Sequence, residues 1–544
     1  MKSPTGNFKS KKELMAVGSF LILTPLIAHL LFSWMGFTPT DEGFTLALSR
    51  RIIDGQVPHR DFILGAPFFS PLLHVPFVLL GGNYTFWLSR MFVWFQLTCI
   101  SWLWVSIINL LMKSPFSLGG KLCISLIAFA ATTHTKHLTA WPTIDGLFFI
   151  GMGTALCLRT SELSKLLGYF LLSIATLCKQ NFVFVAPLSL LILGDWKQVR
   201  YWIAAAMPGF LYVLFLLLTR AFADAVLQLT SHRELLLTSL QPFLKLGTLL
   251  AALAGLLSFG SLRFNLTPAS RGFKVQRMVA LSVLYCAPLL GTALSLWFGV
   301  WMNTSFLVFG LLAGMAVWQF IDGKQSLGPR RAMLLVLLVA WTASLSGGYN
   351  SPALASGSIL AVLAAAVFSS YRDNRFLRYS LAPAAVIVLF SFGIARTRYI
   401  YREPPATNLT KSLADVLPGG KLIYTDANTY DFMSDLKGAV ELAQANDKQY
   451  AILPDVAAYW VKTKQKNSLP AAWPLNETLN KPLLMRRFIE AMEKGRGSTV
   501  FIVQKFQAST LAIGFIPLKD NEVAQYVRTH FKKSRETNYF ELYE

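Results

Sequence analysis

The sequence predicts a polytopic α-helical membrane protein of about thirteen transmembrane helices, followed by a soluble α/β domain. Three observations carry that expectation. Only 14% of the 544 residues are charged while 54% are hydrophobic, whereas a soluble chain carries about a quarter charged residues. Apolar runs close to the roughly 20 residues needed to cross a bilayer recur as far as residue 398. From Tyr399 onward the composition changes: Arg-Glu-Pro-Pro-Ala-Thr-Asn reads as a linker, and charges of both signs return.

Taken in order, the run Met15 to Phe37 follows a basic flank. It is longer than the h-region of a signal peptide and lacks a small-residue cleavage site, so it reads as a retained first span with a cytoplasmic N-terminus. Further spans are expected near 84–112, 122–140, 143–158, 165–178, 181–194, 201–219, 243–262, 278–298, 304–321, 332–347, 353–370 and 380–398. The pair 165–178 and 181–194 is separated by Lys179-Gln180-Asn181. As a single helix it would bury Lys179 mid-membrane and break the later charge alternation, so two helices are expected.

The net charge of +22 invites a nucleic-acid reading, and its distribution excludes one. Residues 1–399 hold 31 Lys+Arg against 12 Asp+Glu, and residues 400–544 hold 19 against 16. The excess lies in short loops, at residues such as Arg159, Lys165, Lys197, Arg330 and Arg331, as the positive-inside rule predicts. An odd number of crossings then places residues 400–544 outside. In that domain Lys421–Thr425 and Thr499–Val503 read as strands, and Asp431–Ala445 and Leu483–Lys494 as helices. The five cysteines all fall in apolar runs without metal-ligand spacing and read as small buried hydrophobes.

The stretch 37–72 is the expected first outside loop. Asp41 and Glu42 precede Phe44, Leu46, Leu48, Ile52 and Ile53, interleaved with Ser49, Arg50, Arg51 and Asp54. That pattern suits a short helix in the interface plane. A Pro/Gly-punctuated segment carrying His59, Arg60 and Asp61 follows and is expected to form one wall of an active site, because irregular backbone at membrane depth must line a cavity or be buried in protein. Lys136, His137, Asp145, Lys179, Gln180, His232, Arg233 and Glu234 fall on the same expected side. Ionisable groups near hydrocarbon are costly and mark functional sites. Taken alone, Asp41 and Glu42 read as the acidic cap of the following helix; Asp145, arriving from a separate span, tilts the balance towards a shared pocket. A carboxylate there can accept an acceptor's proton, and Arg60, Lys136, Lys179 or Arg233 can hold a phosphate leaving group. A divalent metal is an open alternative through His59, His134, His137 or His232 with Glu42 or Asp145, although no HxxxH or HExxH spacing supports it.

A first span, an Asp-Glu pair opening an interfacial helix, then Gly55-x-Val57-Pro58-x-Arg60-Asp61-Phe62 resembles the GT-C superfamily of integral-membrane glycosyltransferases. Its nearest branch is that of the protein O-mannosyltransferases and lipid A aminoarabinose transferases. Leu177-Cys178-Lys179-Gln180 is similar to that branch's Lys-Gln element. The resemblance implies inverting transfer from a polyprenyl-phosphate-linked sugar to a lipid, glycan or protein acceptor, in a bacterial inner or plasma membrane and at its outer face. Asp41 would be the base, supported by Glu42, with Asp145 as second acid. Lys179 and Arg60 would meet the donor phosphate, with Gln180 and Arg233 beside them, and His59, Asp61, Lys136, His137 and His232 would line the substrate pocket. His59 stands where many relatives have Tyr, and His232 is a loose counterpart of the aminoarabinose enzymes' histidines, so no metal is carried over. The alternatives are a secondary transporter, against which the absence of an internal repeat argues, and a scaffold whose outside domain binds a partner.

Overall fold

The computed structural model of the chain describes residues 11–113, 116–231, 238–262, 271–322, 326–346, 350–371, 375–445 and 447–544. The chain is mostly helical. Among the described residues seven helices are long and apolar enough to cross a membrane, and five shorter apolar helices accompany them. Such helices suit a membrane-embedded protein. Each of the thirteen apolar segments expected from the sequence overlaps a helix, but the expected span 122–140 is helical only as far as Thr133, and Lys136 and His137 lie in the loop beyond it.

The elements that build the site come early. They are α1 (Lys11–Phe32), α2 (Phe44–Ile53), α3 (Phe69–Leu80), α4 (Thr85–Leu111), α5 (Leu118–Thr133), α6 (Pro142–Cys157), α7 (Glu162–Cys178), α8 (Val185–Leu193), α9 (Val199–Leu218) and α10 (Phe222–Leu229). Helix α6 opens on Pro142, whose fixed φ and missing N–H suit a first helical position. Helix α7 stops at Cys178 because Lys179 is extended (φ −154°, ψ 127°), and a 3₁₀ turn at Gln180–Phe184 leads into α8. The expected break is therefore present. The turn packs against α6 at Gly146, where a Cβ would lie 2.3 Å from the Phe182 ring.

Helix α2 forms where the apolar pattern places it, yet it does not rest on an open interface. Leu46, Ala47 and Leu48 are buried. One turn on, along the face of Ala47 and Leu48, the buried guanidinium of Arg51 donates to the carbonyls of Asn467 and Leu469 in the C-terminal domain. Helix α3, 12 residues long, is not among the expected spans. Pro71 lies in its first turn, where a missing N–H costs nothing.

The C-terminal domain contains a four-stranded sheet of β3 (Gln449–Leu453), β4 (Thr499–Gln504), β5 (Lys533–Glu536) and β6 (Phe540–Tyr543), in the order β3-β4-β6-β5. Strand β3 runs parallel to β4, and the other pairings are antiparallel. A two-stranded ribbon of β1 (Lys411–Ser412) and β2 (Tyr424–Thr425) precedes it. The expected strand Lys421–Thr425 shrinks to its last two residues, because Leu422 takes a positive φ (67°) and Ile423 donates back to Gly420.

The two parts share one apolar core. Phe37, Leu46, Ala47 and Phe86 pack in a single cluster with Phe432, Leu436, Val456 and Ala458. Complete burial of such a side chain contributes roughly 1.5–3 kcal/mol, so the domain is docked rather than tethered. The contact is closest at Gly43, where a Cβ would fall 1.9 Å from the Cα of Ala458. Only glycine allows that approach.

Candidate active site

The site forms where the segment after α1, the segment between α5 and α6, the α7–α8 break and the C-terminal domain converge. Its anchor is Arg90, a buried cation on α4. Arg90 Nε and Nη2 donate to the two oxygens of Glu42 at 2.6 Å each. The same guanidinium donates to the carbonyls of Ser33 and Gly36, both at 2.6 Å. His137 Nε2 lies 3.3 Å from Glu42 Oε2, and Thr139 Oγ1 donates to the Glu42 carbonyl at 3.0 Å. Glu42 is thus committed to fixing the backbone that carries Asp41.

Asp41 is buried, and its Oδ2 is 3.1 Å from Arg402 Nη1. Arg402 also donates to Thr40 Oγ1 at 2.9 Å. Lys136 lies within electrostatic reach of both, and its Nζ is 4.6 Å from the ring centroid of Trp141. Burial brings the Lys136 ammonium down to about 8, against the opposing pull of Asp41. Burial is also the main force pushing the Tyr401 hydroxyl up to about 12, with the Asp41 charge adding to it. An anion, two cations and a phenol are therefore packed at the junction of the two domains.

Beside them opens a cavity of ≈ 650 Å³, within the range of ligand sites. Phe44, Thr45 and Leu48 of α2, Ile63 to Pro67, Trp141 and Pro142 form its membrane-side walls, and Trp473, Leu475 and Glu477 come from the C-terminal domain. Most of the lining is apolar, and Lys179, Gln180 and Asn181 supply a polar edge. Lys179 Nζ donates to Thr143 Oγ1 at 3.1 Å, and Gln180 Nε2 to the Gly65 carbonyl at 2.9 Å. Phe44 and Trp473 meet edge to face with centroids 5.0 Å apart, which closes the wall between the domains.

Several expected site residues lie elsewhere. Asp145 is fully buried and saturated: Ser70 Oγ donates to it at 2.5 Å and Gln96 Nε2 at 2.7 Å, and His74 Nε2 is 3.2 Å away. It does not line the cavity. Its partner Gln96 is six residues beyond Arg90 on α4, roughly 9 Å along the helix, so Asp145 and Glu42 belong to separate networks. Of the segment carrying His59, Arg60 and Asp61, the cavity wall takes only Ile63 to Pro67. His59, at φ 68°, is clamped by Gln228 and the Tyr212 hydroxyl, both at 2.8 Å. Arg60 is exposed and occupied by its neighbour Asp61 at 2.8 Å, and Asp61 accepts from the Val57 N–H at 2.7 Å. A phosphate at Arg60 would have to break that pair. His232, Arg233 and Glu234 lie outside the described residues. His59 and His137 sit in separate hydrogen-bond sets, and among the described residues no three His, Cys, Asp or Glu side chains gather as metal ligands.

Four residues the sequence reading did not single out belong to this junction: Arg90, Arg402, Trp473 and Asp455, a buried carboxyl just after β3. A lone arginine inside the run 84–112 was the available signal for Arg90, since an intramembrane charge needs a named partner. The other three carry no local signal, because their partners lie in other domains or hundreds of residues away.

Compared with models of known families and with curated proteins, the chain matches none.

Proposed function

We propose that this protein is a GT-C-like membrane glycosyltransferase that moves a sugar from a polyprenyl-phosphate donor to an acceptor at the outer face of a bacterial inner or plasma membrane. In this reading about thirteen helices cross the bilayer and residues 400–544 face outward. The observation that carries it is the cavity of ≈ 650 Å³, apolar over most of its lining and polar at Lys179, Gln180 and Asn181. An isoprenoid chain suits the apolar walls. A phosphate suits the ammonium of Lys179, a point charge beside two amide side chains. Asp41 is the candidate base; it does not itself line the cavity, but of the two cations that balance its charge, Arg402 and Lys136, the second lies over the ring of Trp141 in the cavity wall. Asp145 keeps a structural part, with every oxygen already hydrogen-bonded.

The test is direct. The purified full chain, incubated with a panel of polyprenyl-phosphate sugars and envelope-lipid, glycan and peptide acceptors, should release the lipid phosphate and form a glycosylated product detectable by mass spectrometry. Solute flux in proteoliposomes without any transfer would favour the transporter instead.

A further inference from the structure

Asp455 follows β3 in the C-terminal domain and is buried. Among the described residues its Oδ1 has no hydrogen-bond partner. Unlike Asp145, it is therefore a buried carboxyl with an oxygen left over, a costly arrangement that asks for a reason. Its position supplies one. Three residues further on, Ala458 N donates to the Pro39 carbonyl at 3.2 Å and Ala458 sits against Gly43, which seats this segment on the backbone that carries Asp41. Within electrostatic reach of Asp455 are Asp41 from the first loop, Tyr401 and Arg402 from the linker and the indole of Trp473 from its own domain; Lys136, on the α5–α6 segment, is within reach of Asp41 and Arg402.

We propose that Asp455 is a positioning residue of the site, pairing with Asp41 near Arg402 so that the two carboxyls, one from each domain, carry a single negative charge. The proton sits on Asp455, while Asp41 Oδ2 lies 3.1 Å from the Arg402 guanidinium. Burial and the neighbouring Asp41 both push the Asp455 carboxyl well above the ordinary carboxylate range, while Arg402 pulls the other way more weakly. The catalytic consequence rests on the glycosyltransferase reading: when Asp41 takes the acceptor's proton, both carboxyls are neutral and Arg402 loses its counter-charge. Docking of the C-terminal domain would thereby set the ionisation of the base.

Infrared difference spectroscopy of the purified full chain across pH tests the pairing without turnover. A protonated-carboxyl band should persist above neutral pH in the wild type and be lost in Asp455→Asn. A Glu403→Gln variant separates the signal of Glu403, a buried linker carboxyl that burial also pushes up, to about 8. In Asp41→Asn the midpoint of the Asp455 band should fall by about one pH unit, because a like charge has been removed. No band lost in folded Asp455→Asn, or an unmoved midpoint in Asp41→Asn, overturns the proposal. If the donor panel yields activity, Asp455→Asn should shift the pH profile of kcat and leave the donor KM unchanged. If the panel yields none, the function reading falls while the infrared result still decides the pair.

Discussion

Arg90 and Glu42, forty-eight positions apart in the chain, form a bidentate ion pair with both contacts at 2.6 Å and both side chains buried. Breaking one half of such a pair strands the other charge, at a cost of about 3–5 kcal/mol. Arg90→Ala should therefore destabilise the protein by that order, seen as a lower midpoint in detergent-solubilised unfolding. The Arg90→Leu, Glu42→Gln double variant should recover part of the loss. An Arg90→Ala protein as stable as the wild type would remove Arg90 from its anchoring role.

Asp41→Asn keeps the size of the side chain and removes the base. Transfer should fall by on the order of 10²–10⁴, with circular dichroism and donor affinity little changed. Wild-type turnover in this variant would mean the proton goes elsewhere.

Lys179→Ala should weaken binding of a polyprenyl phosphate by roughly tenfold or more, the usual scale for a hydrogen bond to a charged group. Trp141 and Trp473 line the same cavity, so intrinsic fluorescence on titration with the lipid phosphate reports the affinity. An unchanged dissociation constant would place the phosphate away from Lys179.

Gly43→Ala should loosen the docked domain, because its new Cβ would overlap Ala458, whose Cα lies 1.9 Å from that point. Limited proteolysis at the linker around Pro404 and Pro405 should accelerate. Equal protease resistance would show that the backbone can move aside at no cost.

Glu403 joins the same domains: it accepts from Phe37 N at 3.0 Å and Asp426 N at 3.3 Å, and from Thr425 Oγ1. Burial, the largest influence, pushes its carboxyl up to about 8. A carboxyl that holds its proton more tightly when folded favours the folded state at low pH. That contribution is complete below the ordinary glutamate range and declines as pH rises towards 8. Wild-type stability should fall over that window by more than Glu403→Gln does, as measured by thermal unfolding at pH 5 and pH 8.5. Parallel curves for the two proteins would contradict this.

What could be read in advance follows from how local each signal is. The break at Lys179 was legible because three consecutive polar side chains interrupt an apolar run, and α2 because its apolar spacing is self-contained. Asp145 misled because a carboxylate at the start of a span looks the same in sequence whether it is free or saturated by Ser70, His74 and Gln96. Asp455 was invisible for the opposite reason: its significance comes from Asp41, 414 positions earlier. Docking was missed because Phe37, Leu46 and Phe86 read equally well as lipid-facing residues and as half of a shared core.

That shared core limits how this chain can be rearranged. A chimera keeping residues 1–399 and grafting on an unrelated soluble module would strip the cover from Phe37, Leu46 and Phe86, and take Arg402 away from Asp41. Recombination between divergent versions of such a protein would therefore succeed only where the crossover leaves the first loop and residues 400–544 from the same parent.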